Sequence, residues 1–228
     1  MPHLEQLGRV VAVDLIGMGK SDKPTIDYSF VDHAKYLDAF IDKMGLQDIT
    51  IIGHDWGSGL ELHYAAQHKE NVKGLVFMEA VLGEQEWKDY PQDLRELLQF
   101  LRSEEGMQTI MDENVIVEPG IQDDVVRSLT AQELDNYKEP FQTVESRFLT
   151  WKWVTEVPTS SEPQDVSKIV ADYMSILYQW DVPKLLIYAE PGNVYSPEDA
   201  IAIAASLPNC QAVSVGEGLH YLAEDQPH

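Results

Sequence analysis

A single cysteine, Cys210, stands in 228 residues, so no internal disulfide can form. That is compatible with a reducing compartment, and the expectation is a cytoplasmic protein. Basic residues are scarce, with 16 Lys and Arg against 39 Asp and Glu and a net charge of −23. A surface this acidic repels nucleic acid and anionic membranes, which excludes both as partners. Nowhere does an apolar run approach the ~18–20 residues that cross a bilayer. The first nine residues lack the apolar core of a signal peptide. No internal repeat or low-complexity segment is visible. What remains is an ordinary hydrophobic share of 44% in a chain long enough to bury a large core.

Along the chain, strand and helix patterns alternate. Val10-Val11-Ala12-Val13-Asp14-Leu15 is a near-continuous apolar run, which predicts a buried parallel strand. Residues 17–24 form a loop containing Gly-Lys-Ser, but the upstream glycine of a phosphate loop is missing, so nucleotide binding is excluded there. Phe30, Ala34, Leu37, Ile41 and Met44 recur at helical spacing, and Gly45 closes that helix. Strands are predicted over 49–53, 72–78, 183–188 and 212–215. Between 82 and 182 the alternation stops, and helical stretches recur at 94–101, 131–137 and 166–178. Ser196-Pro197-Glu198-Asp199 opens a helix with an N-cap, a proline in its first turn and acidic residues. The pattern predicts an α/β fold with a parallel sheet. Its core is divided into residues 1–81 and 183–228, and 82–182 is inserted between them as a helical cap.

Ile51-Ile52-Gly53-His54-Asp55-Trp56-Gly57-Ser58-Gly59 is the richest stretch. An apolar strand ends in Gly-x-Asp-x-Gly and runs into helix-forming residues. That is the strand, sharp turn and helix of a nucleophile elbow, with Asp where most such sites carry Ser. A carboxylate needs no base to deprotonate it and attacks carbon directly, leaving an ester. The alternative is an ordinary βα turn in which Asp55 caps the helix.

An ester on Asp55 must be hydrolysed, usually by water that a histidine activates. Of seven histidines, His220 is best placed, because it follows a strand at the carboxyl edge of the sheet, where such sites gather. His54 lies within the elbow with its side chain directed away from that of Asp55. His63 and His68 fall on the elbow helix, and His3, His33 and His228 read as surface residues. A base needs a carboxylate to orient it. Glu79 closes the strand after the elbow and Glu190 closes the later one; the residues alone leave both open.

Asp14-Leu15-Ile16-Gly17-Met18-Gly19-Lys20-Ser21-Asp22-Lys23-Pro24, Gly53-His54-Asp55-Trp56-Gly57-Ser58, Phe77-Met78-Glu79, Tyr137-Lys138-Glu139-Pro140-Phe141 and Gly218-Leu219-His220-Tyr221-Leu222-Ala223-Glu224-Asp225 resemble the haloalkane dehalogenases of the α/β-hydrolase superfamily. The similarity runs over essentially the whole chain. In the subfamily with an Asp-His-Glu triad, the Glu follows the strand after the elbow, as Glu79 does. The other subfamily has an Asp after the later strand, where this chain has Pro191-Gly192-Asn193. The resemblance therefore favours Glu79 over Glu190. It implies that Asp55 displaces halide from an sp³ carbon of a small halogenated alkane. His220, held by Glu79, then activates water against the alkyl ester. Trp56 matches the tryptophan whose indole N–H holds the departing halide. Leu219, Phe141 and Trp87 line an apolar pocket or simply fill the core. Neither a metal nor an organic cofactor is implied.

The resemblance also carries a difference. Family members have three strands ahead of the segment matching residues 1–4. The third ends in His-Gly-Asn-Pro, which supplies an oxyanion-hole amide and a second halide-binding side chain. They also have a closing helix beyond the segment matching residue 228. The expectation from that difference is a core with exposed strand edges, poor stability and weak activity. Three alternative functions follow. Epoxide hydrolases share the Asp elbow and use cap tyrosines, for which Tyr137, Tyr173 and Tyr178 are available. Coelenterazine luciferases are similar at 115–118 and 190–192. A non-catalytic remnant would only bind small apolar ligands.

Overall fold

The computed structural model describes residues 2–228. Four parallel strands make one sheet in the order β1-β2-β3-β4: β1 Ile49–His54, β2 Val72–Met78, β3 Lys184–Pro191 and β4 Cys210–Gly218. The two inner strands are the apolar ones. Leu75, Phe77, Leu186 and Ala189 are fully buried, whereas Ile52 on β1 and Val213 on β4 are exposed. This is the pattern expected when central strands are covered on both faces and outer strands are not.

Helix α1, Phe30–Lys43, begins with a reciprocal cap in which Ser29 and Asp32 satisfy each other's backbone amides. Gly45 follows it in the left-handed conformation. Helix α2, Trp56–Gln67, is the elbow helix; it packs on β1 and β2, and α1 packs on it in turn. From β2 to β3 the chain is helical: α3 Gln92–Leu101, α4 Glu104–Glu113, α5 Gly120–Asp123, α6 Ala131–Lys138, α7 Phe148–Glu156 and α8 Gln164–Leu177. Of these α8 lies on α2, while α3, α4 and α7 pack on one another. Helix α9, Pro197–Ser206, with its predicted Ser196 cap, covers β3 and β4, and α10, Leu222–Asp225, follows His220.

Two predictions are corrected. Residues 10–15 are not a strand. Apolar content alone does not make a strand; a ladder partner is required. Among the described residues this segment has none, and Val11 and Val13 are about two-fifths exposed. Asp14 serves the following loop instead, its carboxylate accepting from the Lys20 backbone at 2.9 Å. His33 is not on the surface but wholly buried, stacked on Trp153 with ring centroids 4.4 Å apart. The helices at 104–113 and 148–156 carry no sequence prediction. No helix among the described residues is long and apolar enough to cross a membrane.

Candidate active site

The turn from β1 into α2 places Asp55 at φ 49°, ψ −124°, a region rarely used by side-chain-bearing residues and costing about 1–3 kcal/mol. The surroundings enforce it. The Asp55 backbone amide donates to Met78 O across the ladder at 3.1 Å, and the Asp55 carbonyl accepts from Ser58 N at 2.9 Å as the first helical turn closes. Gly53 is required by close approach: a Cβ there would lie 2.6 Å from Ser58 Cα and 2.5 Å from a Glu61 carboxylate oxygen. Asp55 thus stands at the N-terminus of a 12-residue helix, whose dipole favours an ionised carboxylate. No side chain hydrogen bond caps the helix. The Asp55 carboxylate is therefore not spent as a cap, and its side chain remains 39% exposed.

His220 comes to this point from the other end of the chain. Its Nε2 lies 3.9 Å from Asp55 Oδ2 and its Nδ1 lies 3.4 Å from Glu79 Oε2. The first distance exceeds a hydrogen bond and the second is a long one. Glu79 is completely buried and, like Asp55, adopts a positive φ, 45°. Its Oε2 also accepts from the backbone amides of Asn193 at 3.1 Å and Val194 at 2.7 Å. Those donors offset the cost of burying a carboxylate. Gly192, at φ 73°, lets the loop close there, since a Cβ would lie 2.7 Å from Tyr195 O and 3.4 Å from Glu79 Oε1. Glu190 is elsewhere: it is exposed and accepts from Ser214 Oγ at 2.7 Å. The structure thus brings Glu79, and not Glu190, to His220.

Burial pushes the His220 imidazole pKa down, but the hydrogen bond it donates to Glu79 and the charges of Asp55, Glu79 and Asp124 outweigh it, so the net shift is upward. His54 shifts the other way, lowered by burial and by His220, whose ring centroid is 4.7 Å away. His54 Nε2 lies 2.8 Å from the His220 carbonyl oxygen, so this ring steadies the His220 loop.

The remaining predicted residues divide. Trp56 is buried beside Asp55, and its indole N–H donates to Trp153 O at 3.2 Å, so the donor is already engaged within the protein. Leu219 adjoins His220, is half-buried, and donates its backbone amide to Asp225 Oδ2 at 3.1 Å. Phe141 is buried but borders a cavity of about 490 Å³ that neither Asp55, Glu79 nor His220 lines. Trp87 stacks under the Arg102 guanidinium at 5.0 Å. Sequence reasoning missed three groups: Asp124, Asn193 and Glu61. Glu61 is buried within α2 and accepts from Val76 N at 3.2 Å, and burial raises its pKa well above the usual carboxylate range. A Glu in an otherwise small and apolar stretch of α2 was the available signal for it.

A family model described as alpha/beta hydrolase fold matches residues 1–227. A haloalkane dehalogenase from Mesorhizobium japonicum is 39% identical over 228 residues, covering 99% of this chain and 74% of that protein. One from Sphingobium indicum is 38% identical, covering 100% of this chain and 78% of that protein. The chain belongs to the haloalkane dehalogenase family. Among solved structures, a putative ancestral haloalkane dehalogenase superposes with a TM-score of 0.91 at 41% identity, covering 94% of this chain and 76% of its own. A loop variant of a haloalkane dehalogenase from Bradyrhizobium elkanii reaches 0.96 at 36% identity, covering 100% and 79%. This bears out the predicted α/β-hydrolase fold with its parallel sheet.

Proposed function

We propose that this dehalogenase-family chain hydrolyses small haloalkanes to alcohol and halide through an ester on Asp55. The observation that carries the reading is the linear set Asp55, His220, Glu79, assembled from three separate loops at the carboxyl ends of β1, β2 and β4. In the first step an Asp55 carboxylate oxygen attacks the halogen-bearing carbon in line, the carbon–halogen bond breaks, and halide leaves with the electron pair. Asp55 loses its charge on becoming an ester. In the second step His220 Nε2 takes a proton from water, and the resulting hydroxide adds to the ester carbonyl. Collapse frees the alcohol, and the proton on His220 is returned to solvent. Glu79 holds Nδ1–H and stabilises the imidazolium that forms.

The 3.9 Å gap between Nε2 and Asp55 suits this order of events, because the two groups do not lock each other in the resting state. Trp56 is the proposed halide donor; binding halide requires its N–H to exchange the Trp153 carbonyl for the anion. Residues 82–182 act as the cap over this face, with Leu219, beside His220, and Trp87 as proposed apolar contacts; Phe141, which borders a cavity that the triad does not line, is not assigned to this pocket. Halogenated alkane, water and halide are the partners, with no nucleic acid or membrane involved. The single cysteine supports a cytoplasmic location.

The test is intact-protein mass spectrometry of His220→Phe after exposure to 1,2-dibromoethane. The expected result is a stable mass increase of one bromoethyl group on Asp55, absent from the Asp55→Asn control. No adduct on folded protein would overturn the reading. A diol-forming reaction with epoxides in place of halide release would favour the epoxide hydrolase alternative.

A further inference from the structure

The triad does not account for every acidic group in the hydrogen-bond network around His220. Asp124, at the end of α5, is half-buried, and its Oδ1 accepts from the Asn193 side-chain amide at 2.8 Å. The backbone amide of that same Asn193 donates to Glu79 Oε2 at 3.1 Å. One asparagine therefore joins two carboxylates. Backbone contacts hold the arrangement from a second side: Tyr221 N donates to Asp124 O at 3.1 Å, directly after His220. Two residues beyond Asp124, Asp225 Oδ1 accepts from Val126 N at 2.9 Å and Arg127 N at 3.1 Å, while its Oδ2 accepts from Leu219 N. Arg127 adds an ion pair to Glu224 at 2.5 Å. The segment carrying Asp124 is thus stitched to the loop carrying His220 on both sides of the imidazole.

We infer that Asp124, tethered by Asn193, is a positioning residue that holds negative charge toward His220 while Asp55 is esterified. The inference rests on the mechanism proposed above. Alkylation removes the charge of Asp55 just when His220 must become a stronger base and carry a proton. Glu79 alone would then face the imidazolium from the triad. Asp124 is not consumed in either step, so its charge persists through the hydrolytic one. The groups that act on His220 are Asp55 after β1 and Glu79 after β2 by contact, Asp124 from α5 through its charge, and the rings of His54 on β1 and Tyr221 beside it. Of these only Asp124 is both anionic and outside the triad. Burial raises the Asp124 carboxyl pKa, whereas His220 and the Asn193 hydrogen bond lower it, so the pairing is felt from both ends.

The variant Asp124→Asn keeps the shape and the acceptor for Asn193 but deletes the charge. Imidazole titration of His220 by NMR on resting protein, with ¹³C-labelled histidine, reads the effect without requiring turnover. The expected result is a fall of the His220 pKa by roughly 0.5–1 unit, less than the ~1–3 of a contact ion pair because Asp124 is only half-buried and, among the described residues, the ion pairs of His220 within 4 Å are those to Asp55 and Glu79. Asp124→Glu should restore most of it, and Asn193→Ala, which frees the carboxylate, should show a smaller fall in the same direction. In the pH profile of kcat, the acidic limb should move down by the same amount in Asp124→Asn. A folded Asp124→Asn protein whose His220 titrates as in the unaltered chain overturns the inference. So does a uniform loss of kcat with an unmoved limb, which a merely structural role would give. If Asp124→Asn does not fold, an unchanged His220 titration in Asn193→Ala is decisive instead. Failure of the His220→Phe adduct experiment with an intact titration shift would count against the proposed chemistry and leave the coupling standing.

Discussion

Glu79→Gln separates the two chemical steps. The side chain keeps its length, and an amide oxygen at the Oε2 position still accepts from Asn193 N, Val194 N and His220 Nδ1. Only the charge is lost. A hydrogen bond to an ionised acceptor contributes about 1.5–3 kcal/mol and one to a neutral acceptor about 0.5–1.5 kcal/mol. The difference of about 1–1.5 kcal/mol corresponds to roughly one pKa unit. The long 3.4 Å contact to His220 points to the lower end. His220 then becomes a weaker base and its tautomer is held less firmly. General-base assistance is worth ~10²–10⁴ in rate, so ester hydrolysis is expected to slow by roughly 10²-fold. Alkylation does not use Glu79 and should stay within about threefold. In quenched-flow measurements with 1,2-dibromoethane, Glu79→Gln should release a rapid burst of halide equal to the protein present, then turn over slowly. Intact mass during the slow phase should show the alkyl adduct. A steady-state rate within about twofold of the unaltered protein, with no burst, would refute the role assigned to Glu79. An equal fall in both phases accompanied by a lowered melting temperature would mark Glu79 as structural only.

Two further predictions concern stability. Burial lowers the His33 pKa from 6.5 to about 4, and neither ring nitrogen has a hydrogen-bond partner. A histidine held neutral in the fold contributes stability that is complete above pH ~6.5 and is lost as pH falls toward ~4, up to about 3 kcal/mol. His33→Phe, which keeps the stacking on Trp153, should shrink the drop in melting temperature between pH 7 and pH 5; an identical drop would show that His33 does not titrate this way. Gly53→Ala pushes a methyl group against Ser58 backbone atoms at 2.6–2.7 Å, which cannot yield as a flexible side chain could. It should cost about 1–3 kcal/mol in urea unfolding and distort the Asp55 turn. Normal stability and normal adduct formation in this variant would show that the elbow tolerates a side chain.

Much of the chain was legible because the decisive patterns are local. The Gly-His-Asp-Trp-Gly turn lies in consecutive residues, and its strained Asp55 follows from glycines within two positions of it. The caps at Ser29 and Ser196 bind amides three residues on. The strands β1 to β4 announced themselves by apolar runs between turns, and the family resemblance ranked Glu79 above Glu190. Tertiary structure decided what depends on distant partners. Val10 to Leu15 have the composition of a strand, but hydrogen-bonding neighbours make a strand, and none is present among the described residues. His33 looked polar and exposed, yet Trp153, far along the chain, covers it. Asp124 and Asn193 are 69 residues apart, and Glu79 and His220 are 141 apart. Residue type and periodicity constrain a few neighbours in the chain; which carboxylate meets which imidazole is set by how the sheet aligns its strand ends.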